Sequence, residues 1–144
     1  MLFRSAVLAI WNDDFVCYTA AMQMKVLTVR QPWAWAIIHA GKDIENRTWA
    51  TGHRGPLAIH ASRRRPTRED MEWCRQYFAE RGVTMPDTFA LGVVVGAVDL
   101  TDCLTRPPRV DRWWMGPVGW QLRNPRPLPP TPLHGQLGLF SADL

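Results

Sequence analysis

The sequence predicts a single α+β domain built mainly from short strands, with a short helix after the first strand and one longer amphipathic helix. Three observations predict it. Glycine and proline number 10 and 12 among 144 residues, which favours strands joined by turns over a helical bundle. The stretch Ala90–Leu104 is apolar and β-branched but too long for an ordinary strand, and Gly92 and Gly96 interrupt it as a bent or bulged strand at a barrel corner requires. Arg68–Arg81 carries Met71, Cys74, Tyr77 and Phe78 at helical spacing, the pattern of a core-facing stripe.

The elements follow in order. Residues 1–23 lack clear periodicity and are read as an N-terminal extension, a product of start-codon choice upstream of Met22 and Met24; the competing reading is an extra strand or helix over a barrel edge. The domain proper is 24–144. Lys25–Arg30 alternates as a strand, and Pro32 opens a short helix over Trp33–Ala40 that Gly41 stops, immediately before Lys42. Asp43–Trp49 reads as a second strand, with Ile44, Asn46 and Thr48 on one face and Glu45, Arg47 and Trp49 on the other. A face of that composition suits solvent or a polar cleft. After a loop over 51–56, Leu57–Ala61 is a third, mostly buried strand. Thr67 with Asp70 resembles a capping box ahead of the long helix, and Gly82 ends that helix. A proline-rich connection over 105–117 carries Trp113 and Trp114; Val118–Arg123 is a strand, Asn124–Pro132 a proline-rich turn and edge segment, and Gly135–Phe140 closes the sheet.

Hydrophobic residues at 47% against 21% charged exclude a disordered chain and suffice for one core. The net charge of +4 is compatible with a polyanionic ligand without demanding one. Lys25 and Lys42 are the only lysines beside fifteen arginines, a bias that suits phosphate and base contacts but that a GC-rich genome also produces. Cys17, Cys74 and Cys103 form no CxxC pair, which argues against a disulfide scaffold and for a reducing cytoplasm. His39, His53, His60 and His134 are scattered without ligand spacing, so neither a structural metal nor a cofactor is expected. The short apolar stretch near the start runs into Asn12, Asp13 and Asp14, unlike a secretory signal, and no run is long enough to span a bilayer. A monomer or weak dimer is expected.

The most specific pattern lies between Val26 and Ser62: VLTVRQPWAWAIIHAGKDIENRTWATGHRGPLAIHAS. It resembles the start of ASCH domains, which share a strand, an RQPWA-like helix opening, a GxKxxExR-like turn and a GPLxIHAS strand. GVVVGAVDLTDC, GPVGWQLRNPRPLPP and HGQLGLF continue the resemblance, which covers roughly residues 24–140. The resemblance implies a small PUA-like, partly open mixed β-barrel, and RNA, a nucleotide or a modified nucleoside as partner. It maps the turn onto Gly41, Lys42, Glu45 and Arg47.

Set beside the residues, this gives a hollow holding Arg30, Lys42 and Arg47 with one carboxylate. Cations suit phosphate oxygens, and Glu45 suits a base's amino group or general-base work. Trp33 and Trp49 are candidate stacking platforms or core plugs. Glu45 and Arg47 either share a ligand or form a pair that closes a barrel rim. His60, inside an apolar strand, is a core histidine or part of the pocket wall. Arg63–Arg65 is a solvated run or a phosphate track. Asp99 interrupts an apolar strand and is the candidate second carboxylate, unless it marks an exposed strand end.

Two function classes follow: a binding module for RNA or a nucleotide, or a metal-independent hydrolase. A branch of the family deacetylates acetylated cytidine with a lysine, a threonine three residues later and a glutamate on a later strand. Lys42 matches that lysine. Glu45 stands in the threonine's place, where the match fails, and Asp99 would have to replace the glutamate. A catalytic lysine must also lose its proton, which neighbouring arginines favour and Glu45 opposes. Metal-free RNA cleavage is the third reading.

Overall fold

The computed structural model describes residues 22–108 and 111–144. The expectation of an extension therefore falls, but for Met22 and Gln23, outside the described residues. Met22 already belongs to the fold, exchanging two backbone hydrogen bonds of 2.9 Å with Leu144.

Strands β1 (Gln23–Val29), β2 (Ile44–Arg47), β3 (Gly55–Ala61), β4 (Val93–Leu104), β5 (Val118–Pro132) and β6 (Leu139–Asp143) form one six-stranded sheet in the order β2-β5-β4-β3-β1-β6. β1 and β3 run parallel and the other pairs antiparallel. With two helices, α1 (Trp33–His39) and α2 (Arg68–Ala79), this is an α+β, partly open barrel. No helix among the described residues is long and apolar enough to cross a membrane.

The core has three parts. α1 lies against the sheet through Ala34, Ile37 and Ile38, which meet Leu27, Ile59, Leu100 and Trp120. The other side of α1, at Ala36, joins Cys74 and Phe78 of α2 and Trp113 of the connection. On the sheet's other face Val26, Ala58, Val94 and Phe140 cluster. Both faces of β1 and β3 are thus covered, which is why Val26 and Leu27 are buried together.

β4 bends through register shifts against β5 at three places and against β3 between Ile59 and His60. Gly96 is small because α1 and β5 close over it: a Cβ there would lie 2.6 Å from the Arg126 carbonyl oxygen and 2.6 Å from Ile38 Cδ1. Gly41 stops α1 with φ of +72°, a conformation that glycine takes readily. Thr67 and Asp70 form a reciprocal capping box, so Asp at the third helical position does the work of the commoner Glu.

Two expectations are corrected. Residues 124–132 are an edge segment as expected, but they continue β5 instead of turning. β2 pairs with β5 only over Val118–Gln121, so the later prolines sit where β5 has β4 on one side alone and need no donor on the other. The last strand begins at Leu139 rather than Gly135, and it does not close the sheet: β2 and β6 remain its two ends.

Candidate functional site

Beyond Leu27, β1 has no β6 partner, and here β2 approaches it through a side chain. Arg47 Nη2 donates to the Thr28 carbonyl at 3.0 Å. Alternation places Glu45 on the same face as Arg47, and Glu45 Oε1 lies 3.7 Å from Arg47 Nε. The chain leaves α1 through Gly41 with Lys42 N bonded to the Ala36 carbonyl, which turns the Lys42 side chain inward. Lys42 is 4% exposed. Its Nζ donates to the Ile44 carbonyl and to Glu45 Oε2, the latter at 3.3 Å. An ammonium, a carboxylate and a guanidinium thus stand in line at one seam.

Above them is an aromatic-walled hollow of about 240 Å³, lined by Trp33 of α1, Trp73 and Tyr77 of α2, and Trp113 and Met115 of the connection, with Lys42, Glu45 and Asn46. The Lys42 Nζ lies 5.8 Å from the Trp33 ring centre, within cation–π range. Asn46 is wholly structural: Nδ2 donates to the Trp113 carbonyl at 2.9 Å, and Oδ1 accepts from Met115 and Gly116 backbone N–H groups at 2.8 and 3.0 Å. β2 thereby holds the loop that carries the Trp113 wall.

Two further depressions meet this hollow at Trp33. One, of about 560 Å³, has Arg30, Arg47 and Arg64 around Thr28, Ser62 and the loop at Gln136–Gly138. The other, of about 380 Å³, has Arg30, Arg64 and Arg65 with Glu69, Asp70 and Trp73. The Asp70 carboxyl is held below its usual range by hydrogen bonds from Thr67, with Arg64 and Arg30 adding to the effect. Burial pushes the Cys74 thiol up to about 11, so this cysteine is a packing residue rather than a nucleophile. Burial also raises Asp43, and the neighbouring Asp111 carboxylate raises it further.

The structure therefore brings together Arg30, Trp33, Lys42, Glu45 and Arg47. It sets three other candidates apart. Trp49 packs edge-on against Trp120 at 4.8 Å, and its carbonyl accepts from Trp120 Nε1; the strand phase that would aim it at the hollow is lost because β2 ends at Arg47. His60 is fully buried between Thr28 Oγ1 at 3.1 Å and the Leu133 carbonyl at 2.7 Å, so its polar atoms are spent inside the core. Asp99 stands opposite Pro56 at the start of β3, while Arg30 and Arg64 flank the far end of β1 and β3; it is paired with Arg126 at 3.3 Å.

Trp73, Tyr77, Trp113 and Asn46 escaped the sequence reading. Trp73 and Tyr77 did carry a signal, two aromatic residues four apart on one helix face. Trp113 carried none, since its place depends on a side chain 67 residues away.

Comparison with known proteins agrees with the motif. The model of the ASCH domain matches residues 27–116, more than half of the chain. Activating signal cointegrator 1 from Homo sapiens and from Mus musculus are each 39% identical over 83 residues. That stretch is 56% of this chain but 14% of each relative, so the likeness concerns one segment of a much longer protein.

Proposed function

This chain belongs to the ASCH domain family, and on that premise we propose that it binds RNA or a nucleotide in the cleft around Lys42, Glu45 and Arg47. We read its partly open barrel as PUA-like. One observation carries the functional reading: a buried ammonium–carboxylate pair, continued by the half-buried Arg47 guanidinium, beneath aromatic walls and opening onto arginine-lined depressions. The aromatic rings suit a base, Glu45 suits its exocyclic amino group, and Arg30, Arg47 and Arg64 suit phosphate oxygens.

Hydrolysis of a modified nucleoside, such as an N4-acetylcytidine-type amide, or of RNA is the second reading. Lys42 beside Glu45 at the base of a cavity favours it. Against it, both polar partners of Lys42 Nζ accept hydrogen bonds from it, which suits an anchoring cation better than a nucleophile. Asp99 is engaged by Arg126 and is not among the residues that wall the Lys42 hollow, so it does not supply the second carboxylate that a lysine–carboxylate set needs.

The test is fluorescence anisotropy with labelled single-stranded RNA. Contact with about three phosphates predicts a log–log salt slope of about −2. Lys42→Ala and Glu45→Gln are expected to weaken binding at least tenfold, and unchanged affinity in both would remove the assignment. Metal-free incubation with N4-acetylcytidine or RNA is expected to leave both intact; turnover lost in Lys42→Ala would instead establish the hydrolase.

A further inference from the structure

The cleft offers more surface than one nucleotide fills, and Trp73 is the reason. This tryptophan is 51% exposed, yet its inner face is fixed. It stacks on Tyr77 at 4.9 Å and 19°, and the Arg81 guanidinium lies 3.3 Å from the Tyr77 ring centre. Arg81 is itself tied down, Nε donating to the Arg112 carbonyl at 2.8 Å and Nη1 to the Tyr77 carbonyl at 2.8 Å. Spaced four apart, Trp73, Tyr77 and Arg81 form a ladder whose last ring faces outward. A flat ring held rigid on one side and open on the other is the platform on which a nucleobase stacks at little ordering cost.

Its position sharpens the point. Trp73 walls both the Lys42 hollow and the depression bearing Arg30, Arg64 and Arg65. That depression also carries two carboxylates, but Asp70 is engaged in the capping box, accepting from Thr67 N at 3.1 Å, which leaves Glu69 against three guanidiniums. Among the described residues the large apolar side chains most exposed are Met22, Trp73, Met115 and Leu137, and all but Met22 edge one of the depressions that meet at Trp33. An apolar rim around a cationic floor fits an unpaired strand, whose bases splay outward while its phosphates stay together.

We infer that the ligand is a strand of at least two linked nucleotides, one base in the Lys42 hollow and its neighbour stacked on the outer face of Trp73, with the linking phosphate on Arg30 and Arg64. This rests on the reading of the hollow as a base site and adds a second subsite to it. A free nucleoside or mononucleotide fills only half of the cleft.

Isothermal titration calorimetry with cytidine 5′-monophosphate and with the trinucleotide CpCpC tests it. The trinucleotide is expected to bind at least about tenfold more tightly, the gain of one stacked base. Trp73→Ala is expected to bring that preference to about one, Trp73→Phe to keep most of it, and Arg64→Ala to reduce it. Equal affinity for the two ligands, or a preference unchanged in Trp73→Ala, overturns the strand and leaves the hollow standing. Binding of both ligands unaltered by Lys42→Ala overturns the hollow instead, and no heat with either ligand overturns both.

Discussion

Lys42 and Glu45 are charged side chains that folding takes almost wholly out of water, and such a pair is a poor device for stability alone. Breaking it leaves one buried charge unmatched, whereas replacing both members with apolar groups of similar size costs little. Lys42→Ala is therefore expected to lower the unfolding free energy by about 3 kcal/mol, and Lys42→Met with Glu45→Leu to return within about 1 kcal/mol of the parent. Urea midpoints measure this. A double variant that is stable yet no longer binds RNA would mark the pair as kept for its ligand; a double variant as unstable as the single one would mark it as structural. At this scale the sequence is legible where spacing alone fixes proximity. Lys42, Glu45 and Arg47 lie within six residues and meet. Trp49, His60 and Asp99 look equally suggestive in sequence, but their surroundings are set by Trp120, Leu133 and Arg126, partners 27 to 73 residues away.

Among the elements, α1 decides the site because it presents Trp33 and delivers Lys42, and its seat on the sheet depends on Gly96. Gly96→Ala would drive a methyl group into the Arg126 carbonyl and Ile38. A cost of about 2 kcal/mol is expected, with weaker RNA binding as α1 is displaced. Thermal unfolding and anisotropy on the same protein check it, and an unshifted melting temperature would show that α1 yields freely. Helices were legible here and strand ends less so. Capping residues and glycine stops are local, so α1 and α2 begin and end close to where their sequences say. The sequence ends β5 at Arg123 because proline breaks a paired strand, whereas pairing on one side or both is decided by β2, far earlier in the chain. The α2 stripe reads as core, and Cys74 and Phe78 are indeed buried; that the same helix shows a second aromatic face follows only from where the connection lies.

For the whole molecule, the unclosed seam between β2 and β1 is the defining feature. The barrel character that the motif implies is present, but the sequence does not show where a barrel stays open, since that depends on β6 beginning only opposite Leu27. Arg47 reaches across where a strand would otherwise pair. Arg47→Met is accordingly expected to speed amide exchange in β2 while leaving the β1–β3 ladder slow, as read by hydrogen–deuterium exchange mass spectrometry. Equal protection of β2 in both proteins would show that its pairing with β5 suffices. The tether has one more effect. A long arginine normally gives up its rotational freedom when it grips an anion, at about 0.5–1.5 kcal/mol for such a side chain. With one donor already on the Thr28 carbonyl and Glu45 steadying the fork, Arg47 surrenders that freedom as the protein folds, so an anion bound at this opening would meet a guanidinium already held in place.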